Sequence, residues 1–277
     1  VSHAMTLEVD AYGNLLKVVA IGYGRRPGLS TLVGDDKDKQ GRIHIASTEN
    51  EFTNPIDEAN AFRAPLPAQA RTYEILKIVP DSNEPSITNL FRFDELRNKL
   101  DQAGDGIHDL PYEDIEAAGA ITAHPYRRLI EHLRTIYRKD DLTGLLDLGK
   151  LESLALPGES YKLALTPSLV TQVYGARVTN AMLANEGKYV HSEGDSDWWI
   201  PSGRLFYSEN PAHTSSQELA EARAHFFLPR RYRDPFHTNA APTETTVTYD
   251  PHDLLVHRTR DAVGNSASAE QDYRVLQ

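Results

Sequence analysis

The stretch VTYDPHDLLVHRTRDAVGN, residues 247–265, decides the fold. A strand-like run ends in Tyr249-Asp250, a second β-prone run follows a turn, and the stretch closes on Asp261-Ala262-Val263-Gly264-Asn265. Near the other end LEVDAYGNLLKVVAIGYG, residues 7–24, carries Asp10-Ala11-Tyr12-Gly13-Asn14 between two more β-prone runs. Gly-Asn pairs accept the positive φ of tight hairpin loops, and Asp-x-x-Gly-Asn is good turn chemistry. One such phrase spells a hairpin, and its return at both ends spells a repeated hairpin. The copies are imperfect: Val9 and Arg260 stand where Tyr249 stands in the middle copy, which itself has Asp253 in place of glycine and no asparagine.

Working outward, further strands are expected over residues 42–48, 71–79, 158–165, 198–207, 243–249, 254–260 and 266–276. The second strand of the first hairpin is apolar on both faces (Leu16, Val18 and Ala20; Val19, Ile21 and Tyr23), which predicts cover on both sides. Residues 25–41 are polar and rich in Gly and Asp, and read as a surface loop; residues 54–69, with three prolines and no period, read as irregular. Helices are expected in three places. Asp94 is a candidate N-cap with Leu96 and Leu100 on one face and Gly104 past the end. Tyr126, Leu129, Ile130, Leu133, Ile136 and Tyr137 fall at helical spacing after Pro125. Ser215 and Glu218 have capping-box spacing ahead of Leu219, Ala222 and Phe226. A shorter helical turn is expected after Thr166-Pro167. The sum is a mainly β fold, an antiparallel β-hairpin sheet with a few inserted α-helices and no βαβ alternation. Its regions are residues 1–90, β-hairpins with irregular loops; 91–240, mixed with inserted helices and strands; and 241–277, repeat-like hairpins.

Composition narrows function. The 277 residues contain no cysteine, which excludes disulfides, thiolate metal sites and cysteine nucleophiles. A net charge of −11, from 40 acidic and 29 basic residues, offers no surface for a phosphate backbone. No apolar run approaches the ~20 residues of a membrane helix, and no signal peptide opens the chain. The start at Val1-Ser2-His3-Ala4 directly before a strand-like alternation, and the end at Val275-Leu276-Gln277 without a polar tail, read as an internal fragment.

The eleven histidines are scattered, with no paired spacing on one helical turn; His132 and His225 fall on expected helices as solvated or half-buried residues. No Gly-x-Ser-x-Gly elbow exists, and Ser160 lacks the strand-to-helix turn such a nucleophile needs. Gly22-Tyr23-Gly24 is followed by Arg25, Arg26 and Pro27 instead of a helix start with further glycines, so it is no phosphate loop. DKDKQG, residues 36–41, matches the opening of a calcium loop, but Gln40 weakens the fifth position and Ser47 stands where the closing glutamate belongs. Glu193, Asp195 and Asp197 beside Trp198 and Trp199 offer a sugar platform with paired carboxylates, or a metal loop; the plainer alternative is a polar turn before a strand whose tryptophans enter the core. Arg230, Arg231 and Arg233 lie among Phe227, Tyr232 and Phe236, and in so acidic a chain they are expected to pair with internal carboxylates and stack on rings.

The terminal phrases resemble the Tyr-Asp (YD, or Rhs) repeat. With SHAMTLEVDAYGNLLKVVAIGYGRR, YRKDDLTGLLDLGKLESLALPGESYKLALTP, WWIPSGRLFYS, HFFLPRRYRDPF and RDAVGNSASAEQDYRVLQ, the chain resembles, from first residue to last, the middle-to-C-terminal region of the B component of bacterial Tc (ABC-type) insecticidal toxin complexes. In that family the B and C components build a hollow shell of wound β-hairpins around a cytotoxic polypeptide, and the B component docks onto the pore-forming A component. The resemblance implies a secreted or extracellular, non-enzymatic wall segment. Its partners would be the remainder of the B component, the C component and the enclosed polypeptide, with the A component indirect. It implies no catalytic, cofactor-binding or metal residue, no cofactor, and no contact with nucleic acid or membrane. The alternatives are a carbohydrate-binding YD-repeat surface protein using Trp198 and Trp199, or a glycosidase using Glu193, Asp195 or Asp197.

Overall fold

The computed structural model describes residues 1–25, 27–81, 90–104, 108–114, 125–270 and 272–274. In chain order they form β1 (Ser2–Val9), β2 (Leu15–Gly22), α1 (Gly34–Gly41), β3 (His44–Phe52), β4 (Ile56–Glu58), β5 (Ala61–Arg63) and β6 (Pro67–Leu76). There follow α2 (Phe93–Gly104), β7 (His108–Leu110), β8 (Tyr126–Tyr137), β9 (Pro157–Leu165), α3 (Pro167–Tyr174) and α4 (Asn180–Asn185). The last third holds β10 (Trp198–Pro201), β11 (Arg204–Phe206), α5 (Ser215–Ala224), β12 (Arg231–Arg233), β13 (Glu244–Tyr249), β14 (Val256–Arg260) and β15 (Ser266–Ser268). The fold is mainly β, with antiparallel hairpins. Two compact units divide the chain: Val1–Phe52, Gln69–Leu133 and Leu165–Gly175 make the first, and Thr53–Ala68, Arg134–Ala164 and Ala176–Gln277 the second.

In the first unit the strand order is β1-β2-β3-β6-β8, with the short β7 parallel to β8, a pairing the sequence did not announce. Met5, Leu7, Val19, Ile21, Ile45 and Ile75 share a core with Ile78, Phe91 and the Leu96 and Leu100 of α2. Each buried aliphatic there contributes about 1.5–3 kcal/mol. Ala4, Ala20 and Ala46 stand in register across three strands. Ala4 and Ala20 are exposed, so β2 is covered on one face only, against the expectation of two. Helix α2 begins at Phe93, which puts Asp94 in its first turn instead of at its cap. The helical turn expected after Thr166-Pro167 is α3, which Thr166 caps, its hydroxyl accepting from the Leu169 amide at 3.1 Å.

Two further expectations in this unit are corrected. Part of the anticipated loop over residues 25–41 is α1, stabilised by Asp35 and Asp36 in the first turn and Lys39 in the last, charges that complement the helix dipole. The larger correction is β8: residues 126–137 are a strand, although their apolar residues sit at helical spacing. Ile130 and Leu133 are 40% and 38% exposed, while Tyr126, His132, Arg134 and Ile136 are buried. Inward polar positions erase the two-residue period, and each is satisfied; His132 Nε2, for instance, bonds Gln69 Oε1 at 2.6 Å.

The second unit takes β8 from Arg134 onward, followed in order by β9 and β10, and a five-stranded sheet ordered β11-β12-β13-β14-β15. Leu142, Leu156, Tyr207 and Ala222 form one core with Leu205, Leu219 and Phe227; Ile56, Tyr137 and Leu151 form another. Residues 54–69 are not irregular throughout: β4 and β5 make a small hairpin there, Ile56 opposite Arg63. The expected strand at 198–207 is broken between β10 and β11 at Gly203, whose φ is +88° and where a Cβ would lie 2.3 Å from the Arg233 carbonyl. The capping box of α5 is Thr214 with Gln217, one residue earlier than Ser215 and Glu218. The strand expected over 266–276 is confined to β15; residues 271 and 275–277 lie outside the described ones. Helix α4, capped by Thr179, was not anticipated because six residues carry no readable period.

Candidate functional site

Asp10 closes the first hairpin with its own side chain. Its Oδ1 accepts from the amides of Tyr12 and Asn14, both at 2.8 Å, and its Oδ2 from Asn14 Nδ2 at 2.9 Å. The Asp10 amide donates to the Asn14 carbonyl at 3.0 Å, and the Gly13 amide to the Asp10 carbonyl at 3.1 Å. Gly13, at φ +82°, supplies the left-handed step. The turn between β14 and β15 repeats this atom for atom. Asp261 Oδ1 accepts from Val263 at 3.0 Å and Asn265 at 2.8 Å, Oδ2 from Asn265 Nδ2 at 2.9 Å, and Gly264 has φ +96°. Burial pushes the Asp10 carboxyl up, but bonds from Asn14, Tyr12 and Gly13 outweigh it and hold it below the usual carboxylate range. At Asp261 the Asn265 side chain leads in the same direction.

The middle copy, between β13 and β14, is longer by one residue. Asp250 Oδ1 accepts from Leu254 at 2.7 Å and Leu255 at 2.6 Å, and Oδ2 from the His252 amide at 3.0 Å. Asp253 takes the left-handed position at φ +55°. In place of an asparagine, the Tyr273 hydroxyl donates to Asp250 Oδ2. That bond, ahead of the backbone ones, holds the Asp250 carboxyl well below the usual range. Tyr273 escaped the sequence reading; the signal was Asp272-Tyr273 eleven residues past Asp261, in a run assigned to a strand.

The acidic tryptophan loop is a structural knot. Trp199 is fully buried and Trp198 nearly so, so neither ring face is open to a sugar. Asp195 Oδ1 accepts from Trp199 Nε1 at 3.0 Å and from the Asp197 amide at 3.1 Å, and its Oδ2 pairs with Arg134 at 2.8 Å. The Arg134 guanidinium lies 4.0 Å from the Trp199 ring centroid and donates to the Ser192 carbonyl at 3.0 Å. Asp195 brings its carboxylate to this knot and Asp197 its amide; Glu193, at φ +54°, lines an open groove of about 580 Å³ with His191, Tyr161 and Arg204. Beneath Arg204, Glu159 accepts its Nη2 at 2.6 Å and the Tyr161 hydroxyl at 2.5 Å; burial first, then this carboxylate, drives the Tyr161 phenol far up. No opposed, free carboxylate pair results, and the glycosidase geometry is missing from these three residues. The calcium-loop residues 36–41 lie in α1, and Ser47 is buried in β3. Among the described residues no group of three His, Asp or Glu could hold a metal ion.

The arginine run behaves as expected. Arg230 pairs with Glu209 at 2.7 Å and Asp253 at 2.9 Å, Arg231 with Glu244 at 2.9 Å, and Arg233 with the same carboxylate. Arg231 and Arg233 each stack 4.8 Å from the Phe206 ring centroid. Deeper still, Arg138 pairs with Glu218 at 3.5 Å and donates to the Leu142 carbonyl at 3.1 Å, while Glu218 accepts the Tyr207 amide at 3.0 Å. Tyr207, beside them, is pushed up to about 12 by burial.

No family model matches the chain, and neither does any curated protein. Solved structures do, and they share the fold of this chain over a stretch of Tc toxin complexes. The crystal structure of TcdB2-TccC3-Cdc42 and that of TcdB2-TccC3 each superimpose on all of this chain with a TM-score of 0.61 at 18% identity. The Photorhabdus luminescens Tc holotoxin pore superimposes on 99% of it with a TM-score of 0.58 at 17% identity. The chain spans 12% of the length of the chains it matches in these structures. The likeness is one of fold. Among the described residues no helix is long and apolar enough to cross a membrane.

Proposed function

We propose that this chain is a segment of the β-wall of a bacterial Tc toxin B component, acting by enclosing a cytotoxic polypeptide and not by catalysis. The single observation that carries the reading is the Asp-centred turn, reproduced atom for atom at Asp10 and Asp261 and in lengthened form at Asp250. Each turn lets a hairpin reverse using its own hydrogen bonds, so successive hairpins can pair edge to edge without leaving polar ladders open. The fold shared with the TcdB2-TccC3 structures along the whole chain supports the same reading, as do the family-like strings in the sequence. In it the segment is extracellular, its neighbours are the rest of the B component and the C component, and the A component is met only through the assembled complex.

The test is protease protection of the enclosed polypeptide in the assembled complex. Wild-type complex should shield the cargo, and a complex carrying Asp10→Ala with Asp261→Ala should admit protease. Full shielding by the double variant, with both turns shown to be open, would reject the wall reading.

A further inference from the structure

The loop between α4 and β10 carries three consecutive residues whose polar groups the fold leaves over. His191 donates its Nδ1 hydrogen to the Asp197 carbonyl at 2.8 Å, and its ring centroid lies 4.1 Å from that of Trp198. A carbonyl only accepts, so the neutral ring keeps its lone pair on Nε2. Ser192 is 4% exposed, and its buried hydroxyl has no hydrogen-bond partner. Buried hydroxyls are ordinarily bonded. Glu193 is exposed, makes no hydrogen bond or ion pair, and sits at φ +54° beside Gly194 at φ +73°. Glycine would hold that backbone at less cost. A carboxylate is kept there although the fold makes no use of it, and strain of this kind gathers at binding sites.

All three residues line the groove of about 580 Å³, which lies wholly within the second unit. The other charges of that groove are engaged. Arg204 is held by Glu159 and Arg233 by Glu244, while the Asp234 carboxylate accepts from the Phe236 amide at 2.8 Å and the Thr243 hydroxyl at 2.6 Å. Tyr161 gives its hydrogen to Glu159, which leaves the phenol oxygen as an acceptor. Burial and then Glu159 do most to raise this phenol, and the charge of Glu193 adds to them, so Glu193 and Tyr161 stand within electrostatic reach of each other. Carboxylate, imidazole nitrogen and phenol oxygen are all acceptors, set beside an apolar wall of Ile136, Leu145, Leu146 and Val190. We infer that this groove seats a lysine side chain presented by a partner polypeptide. An ammonium has three donors and no acceptor, which suits three acceptors, and its charge meets Glu193. The methylenes of the lysine lie along the apolar wall. A guanidinium, planar with its donors in a fixed fork, suits this set less well. The seat is independent of the wall reading.

The experiment titrates the intact protein with the peptide acetyl-Gly-Lys-Gly-amide and follows the side-chain nitrogen resonances of His191 by NMR, with the norleucine and arginine versions of the peptide as controls. The lysine peptide should shift His191 Nε2 saturably, and both controls should bind about tenfold more weakly or worse. Glu193→Gln should weaken the lysine peptide by about tenfold or more. Glu193→Gly should lose binding to the same extent while holding or raising the thermal midpoint, because glycine relieves the left-handed backbone. No saturable shift, equal binding of either control, or lysine binding untouched by Glu193→Gln would overturn the inference. A midpoint lowered by Glu193→Gly would assign the residue to the fold and overturn it as well.

Discussion

The hydroxyl of Tyr273 bonds the same carboxylate oxygen of Asp250 that Asn14 and Asn265 bond on Asp10 and Asp261. A residue from the segment beyond β15 therefore completes the turn between β13 and β14, coupling two consecutive hairpins through one hydrogen bond. The bond favours the charged carboxylate and, in turn, pushes the Tyr273 phenol up.

Tyr273→Phe should make the chain less stable near neutral pH, with the difference from the wild type closing in acid. Asp250 is depressed in the folded state, so its stabilising share is present above the unfolded carboxylate pKa of about 3.9 and is lost as pH falls through the folded value. Without the hydroxyl the folded value rises toward the unfolded one, so the variant holds less of this stabilisation and its stability falls less steeply as pH drops. Carboxyl 13C titration of Asp250 and unfolding followed between pH 5 and 2, roughly the window in which such a group protonates, would check this; an unmoved Asp250 titration would count against the coupling.

Gly13→Ala should destabilise by about 1 kcal/mol, and Gly13→Asn by less, because the cost is the left-handed backbone alone. A Cβ there meets no atom within 4 Å. Gly264→Ala should behave alike, and matched effects in denaturant unfolding would mark the two turns as equivalent.

Trp199→Ala should cost about 3–5 kcal/mol, the range for emptying a large aromatic site in a core. Trp199→Phe should cost less but still leave Asp195 without its indole donor. Urea unfolding with separate midpoints for the two variants measures the difference; a near-neutral Trp199→Ala would mean the ring is not buried.

Arg138→Met or Glu218→Leu alone should destabilise by about 3–5 kcal/mol, each stranding a buried charge. The double variant should recover part of that loss. It stops short of full recovery because the Tyr207 amide and the Leu142 carbonyl each lose a partner, at about 1–3 kcal/mol per unsatisfied group. A double-mutant cycle by chemical denaturation gives the coupling, and additive single effects would refute the pair.

Much of this was legible in residue order. The hairpin at Asp10, the repeat at Asp261, the helical turn after Thr166-Pro167 and the inner face of α2 follow from local chemistry that acts within a few residues. What escaped was settled by distant partners. Residues 126–137 read as a helix because His132 and Arg134 occupy inward strand positions, and a sequence does not display Gln69 or Asp195 waiting for them. Trp199 is likewise ambiguous until Asp195 and Arg134 close around it, after which a sugar platform is no longer available. The break at Gly203 depends on a carbonyl thirty positions away at Arg233. Glu218 was assigned to a cap because its spacing from Ser215 permits one, whereas Arg138 claims it.

The bonds that close the bends at Asp10 and Asp261 draw on no atom outside five consecutive residues. A bend of that kind is a cassette: its closure travels with a short stretch of coding sequence and asks nothing of the residues beyond it. Length then becomes an evolvable quantity, set by how many such bends are strung together.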